Sequence, residues 1–85
     1  MRLDILVGQI AAVWKLDTAA ALELVETLAR NRPFSLEDSA RYVLLFALNG
    51  KKPGDLTEKG IAQYEAEIML EYLDARWARK ENLRR

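Results

Sequence analysis

The chain has 85 residues, 51% of them apolar, and its 13 basic and 13 acidic side chains cancel to a formal net charge of zero. That length supports one domain with a modest core, the apolar content excludes a disordered chain, and the balanced charge gives no support for a protein that is basic all over. With neither cysteine nor histidine, the chain lacks disulfides, thiol nucleophiles, the usual structural zinc ligands and the commonest general base, so no catalytic, metal or cofactor-binding residues are expected.

The stretch from Ile5 to Leu16 is rich in Leu, Val, Ile and Ala, but Asp4 follows directly on Arg2-Leu3 before it, Lys15 interrupts it and no clear small-residue cleavage site follows. It therefore reads as a first helix over residues 3–16 rather than as a signal peptide. Leu3, Leu6, Val7, Ile10, Val13 and Trp14 make its main stripe, with Ile5, Ala12 and Leu16 nearly opposite. That is more apolar surface than one core contact requires, which makes this helix a candidate for an intermolecular seam. No uncharged apolar run approaches the length that spans a bilayer, and a cytoplasmic location is expected.

Asp17 or Thr18 is placed to cap a second helix reaching about Asn31. Ala21, Leu22, Leu24, Val25, Leu28 and Ala29 fall on one side of it, and Glu23, Glu26, Thr27 and Arg30 on the other. Pro33 ends it by disfavouring helical geometry at the residue before. Ser35-Leu36-Glu37-Asp38 then has the pattern of a capping box. Leu36, Ala40, Val43 and Ala47 form the central stripe of the third helix, while Tyr42 to Leu48 is apolar on all sides. Such a run also suits a buried strand; the cap before it and Asn49-Gly50 after it favour a helix, expected to be the most buried of the fold.

Lys51-Lys52-Pro53-Gly54-Asp55 is the obvious loop, and Pro53-Gly54 suits a type II turn. Asp55 or Thr57 is placed to cap the last helix. Gly60 in its first turns costs about 1 kcal/mol against alanine, so its expected use is close approach to another backbone.

The last helix is predicted over residues 56–83, roughly 40 Å at the standard rise. Ile61, Tyr64, Ile68, Tyr72 and Ala75 form one apolar stripe; Ala62, Ala66, Met69, Leu73 and Trp77 form a second, with Leu70 beyond it. Gln63, Glu67, Glu71, Asp74, Ala78 and Glu81 mark the water side. Residues 55–74 carry six acids and one base, net −5, whereas residues 75–85 carry five bases and one acid, net +4. Acids at a helix start and bases at its end complement the macrodipole. The same polarity suits two copies packed antiparallel, acidic half against basic half.

Little here carries chemistry. Ser35 and Ser39 have no histidine to activate them and read as cap and surface. Glu67, Glu71 and Asp74 share a helical face at spacings of four and three, which suits a cation in principle, but a solvated acidic face explains them better. Glu65 lies between the two stripes with Arg76 eleven residues on in nearly the same direction, an arrangement suited to pairing across an interface.

The expected architecture is all-α, a four-helix bundle-like domain with three short helices and one long C-terminal helix. Residues 1–85 form a single domain in this reading, with 76–85 as a projecting basic end. The expected function is a small protein-protein interaction module, an adaptor, inhibitor or assembly subunit, that forms a homodimer or docks on a larger protein through its first and last helices. The interface expected is Leu6, Ile10, Trp14, Glu65, Met69, Tyr72, Leu73, Arg76 and Trp77.

The alternative is a small DNA- or RNA-binding regulator. Helices two and three, joined at Arg32-Pro33-Phe34, can be laid out as a helix-turn-helix, and Leu56-Thr57-Glu58-Lys59-Gly60 resembles the segment that follows the wing in winged-helix regulators. This resemblance covers five residues and implies a reading helix rich in Arg, Lys, Asn or Gln. The third helix instead carries Tyr42-Val43-Leu44-Leu45-Phe46-Ala47-Leu48, with Arg41 its only base. Contacts to phosphate or to an acidic partner are therefore expected at Lys51, Lys52, Arg76, Arg79, Lys80, Arg84 and Arg85.

Overall fold

The computed structural model describes the backbone of residues 2–84 and the side chains of residues 2–74. The fold is all-α and bundle-like in class, built from α1 (Arg2–Trp14), α2 (Thr18–Asn31), α3 (Leu36–Leu48) and the long α4 (Glu58–Arg84). Among the described residues there is no strand, and the loop before α4 contains a short 3-10 turn at Pro53–Asp55. Backbone contacts group the chain into two units, residues 1–54 and 55–85.

In the first unit α1, α2 and α3 all pack on one another, and the chain bends by 110° between α1 and α2. Val7, Ile10 and Ala11 from α1, Ala21, Val25 and Leu28 from α2, and Ala40, Val43, Phe46 and Ala47 from α3 are buried. Together they remove enough apolar area from water to hold three short helices that would be marginal alone. The indole of Trp14 meets the Phe46 ring edge-on, centroids 6.4 Å apart, and its Nε1 donates to the Lys51 carbonyl at 2.8 Å. This bond ties the loop after α3 to the end of α1. Phe34 stacks on Tyr42 at 6.4 Å and fixes the approach of the chain into α3.

The helix ends follow from local chemistry. Asp17 caps α2 by accepting from the Ala20 amide at 3.1 Å, and Ser35 caps α3 by accepting from Asp38 at the same distance. At the end of α3 the Gly50 amide bonds the Ala47 carbonyl and the Lys51 amide bonds the Phe46 carbonyl, with Gly50 at φ 81°, a Schellman ending. A similar reversal closes α1, where Leu16 donates to the Ala11 carbonyl while Lys15 takes φ 55° without being a glycine.

Three details depart from the sequence reading. Pro53-Gly54 does not form a type II turn, which needs a positive φ at Gly54; the positive-φ glycine is Gly50. Gly50 has already turned the chain, and the fixed φ of Pro53 suits the start of a 3-10 turn equally well. Although α3 does bury more residues than α1 or α2, Leu45 and Leu48 are exposed. They continue the line of Asp38 and Arg41 along the water side of the helix. Finally Ser39, expected at the surface, is fully buried, because its position falls beside Ala40 and Val43 on the core face.

In the second unit Thr57 caps α4, its Oγ1 accepting from the Gly60 amide at 3.0 Å. Gly60 lies so close to the Asp55 carbonyl that a Cβ there would collide with it, which is the close backbone approach expected of this glycine. Ile61 and Tyr64, in the first turns of α4, are buried.

Candidate interaction surface

Beyond Tyr64 the character of α4 changes. Every residue from Glu65 to Asp74 is exposed, including Ile68, Met69, Leu70, Tyr72 and Leu73, which are between 45% and 61% accessible. At 100° per residue Ile68, Met69, Tyr72 and Leu73 fall within one broad face that also holds Glu65. Glu67, Glu71 and Asp74 lie on the opposite side and are exposed as well. The result is a helix with a water face and an apolar face, both open to solvent over about 15 Å of axis.

Of the residues singled out from sequence, Glu65, Met69, Tyr72 and Leu73 share this surface. The side chains of Arg76, Trp77, Arg79, Lys80, Arg84 and Arg85 lie outside the described residues. Among the α1 members the structure corrects Ile10 alone. Ile10 is fully buried in the core, Leu6 is half-buried, and Trp14 is half-buried and bonded to the Lys51 carbonyl. The core side of α1 is centred on Val7, Ile10 and Ala11, so its surplus apolar residues are Ile5, Ala12 and Val13. Ala11 is the signal that sequence reading passed over: a small buried residue one turn after Val7, on the core side of α1.

Lys52 is exposed and Lys51 half-buried. Arg41 is held by its own helix, Nη2 2.6 Å from Glu37 Oε1 and Nη1 2.8 Å from Asp38 Oδ1. The water side of α3 thus presents a neutralised arginine followed by Leu45 and Leu48. An open groove between the starts of α1 and α2 is lined by Leu3, Asp4, Val7, Thr18, Ala19 and Leu22. Among the described residues no group of acidic side chains is placed to hold a metal ion, and no single helix is long and apolar enough to cross a membrane. Compared with protein-family models, with curated proteins and with solved structures, the chain finds no match.

Proposed function

We propose that this chain is a non-enzymatic protein-protein interaction module whose contact surface is the apolar face of α4. The observation that carries this reading is the unbroken exposure of residues 65–74 with five large apolar side chains among them. Apolar area left in water costs about 25 cal/mol per Å², and a contiguous exposed patch is a feature of surfaces that meet a partner. Aromatic and methionine side chains such as Tyr72 and Met69 are enriched at such surfaces. Of the α1 residues named from sequence, Ile10 is buried and Leu6 and Trp14 are half-buried, so the reading is carried by the last helix.

The nucleic-acid alternative draws less support. The side of α3 open to water offers Leu45, Leu48 and an arginine engaged by two carboxylates, which is poor chemistry for reading base edges.

Hydroxyl-radical footprinting of Met69, Tyr72 and Leu73 tests the proposal. It compares the protein in a concentrated extract of its source cells with the purified protein at high dilution. Protection of the three residues in the extract, relieved on dilution, is the expected result. Equal reactivity in both settings would mean that nothing covers the face, and the reading would fall.

A further inference from the structure

Resting on that reading, we infer that α4 is the inserted element of a helix-in-groove contact, and that its partner is a different protein offering an apolar groove with a basic rim. Two observations point there. The first is the width of the apolar face. Ile68 and Leu70 are two residues apart, which sets them 200° from each other with Met69 midway, and Tyr72 and Leu73 fall in the same arc; all five are exposed. A helix that meets its partner on one side needs an apolar arc of about 100°. A flat contact centred on Met69 leaves the edges of the arc in water, whereas the walls of a groove cover both edges at once. Every residue from Glu65 to Asp74 is exposed, so no described residue of this chain closes over the arc.

The second observation is charge. From Gly60 to Asp74 the sequence holds four carboxylates, at Glu65, Glu67, Glu71 and Asp74, and no basic residue. Glu71 follows Ile68 by three residues and Asp74 follows Leu70 by four, so each edge of the apolar arc has an exposed carboxylate beside it. Seating the arc in a groove brings these two carboxylates to the rim. An apolar rim would strip them of water and an acidic one would repel them. Lysine and arginine on the rim attract them instead, and the long stems of those side chains reach across while the charge stays in water. The same observations count against other occupants. A second copy's α4 laid alongside covers one side only, leaving an edge of the arc in water. A lipid surface also takes up one side of a helix, and an anionic one repels the carboxylates.

Hydroxyl-radical footprinting in a graded series of source-cell extract, read residue by residue, tests the inference. In the wild-type chain Ile68 and Leu70 are expected to be protected together with Met69, Tyr72 and Leu73. A chain carrying both Glu71→Lys and Asp74→Lys, at exposed positions, is expected to need about tenfold more extract for half-protection, with its helical content by circular dichroism unchanged. Added salt is expected to weaken the wild-type protection as well, a reading that needs no variant. Persistent reactivity of Ile68 or Leu70 while Met69 is protected means a one-sided contact and overturns the groove. Protection indifferent to both the charge reversal and salt overturns the basic rim. The same protection in the purified chain at matching concentration assigns the face to a second copy, which overturns this inference and leaves the interaction reading standing. Protection that disappears when membranes are cleared from the extract assigns the face to lipid and overturns both. Undiminished reactivity of all five residues removes both as well.

Discussion

Ser39 is the residue whose environment fits its chemistry least. Its hydroxyl is fully buried on the core side of α3 and has no hydrogen-bond partner among the described residues. A buried polar group left unsatisfied costs roughly 1–3 kcal/mol, and an apolar replacement of similar size removes that cost. Ser39→Ala is therefore expected to raise the unfolding free energy by about 1 kcal/mol in a urea titration; a loss of stability would mean that the hydroxyl is satisfied after all. Gly60 is the opposite case, a residue whose lack of a side chain is required. A methyl group there meets the Asp55 backbone, which cannot swing aside as a flexible side chain can. Gly60→Ala should lower the helical signal of the first turn of α4 and cost about 1–3 kcal/mol, against the gain of roughly 1 kcal/mol that the same change gives in an open helix. Sequence alone marked Gly60 as a close-approach glycine from its cost, but it had no means of telling that Ser39 faces inward, since a lone serine in an apolar helix suits either side.

At the scale of the elements, the ends of the helices were the most legible part, because each is decided by residues adjacent in the chain. Asp17, Ser35, Thr57 and the Asn49-Gly50 pair all act at the positions their side chains and backbone preferences suggest. The end of α1 was not legible: Lys15 adopts the left-handed conformation with no glycine or asparagine to announce it. Holding a side chain there costs on the order of 1–2 kcal/mol, part of which glycine would give back in added freedom of the unfolded chain. Lys15→Gly is expected to raise the thermal midpoint, by about 0.5–1 kcal/mol in stability, without altering the helical content. The faces of the helices were legible in part. An apolar stripe says which residues prefer to leave water, not which neighbour covers them, so Ile10 was read as interface although it is core, and Leu45 and Leu48, in the helix expected to be most buried, are exposed.

Two aspartate substitutions separate core from contact surface in the molecule as a whole. Ile10→Asp buries an unpaired carboxylate in the three-helix core and is expected to unfold that unit at ambient temperature. Leu73→Asp changes a half-exposed side chain on α4, so its unfolding free energy should stay within about 0.5 kcal/mol of wild type in a dilute denaturant titration. Its association should nevertheless be lost. A Leu73→Asp chain that unfolds would place Leu73 in a packed core rather than on a contact surface.

The indole of Trp14, wedged edge-on against Phe46 with its N–H fixed to the Lys51 carbonyl, is held in one asymmetric setting. An aromatic chromophore so confined absorbs left- and right-handed light unequally, and it loses that preference once its surroundings average out. The near-ultraviolet dichroism of this tryptophan is therefore an intrinsic optical gauge of whether the segment following α3 is latched to α1, readable without attaching any dye.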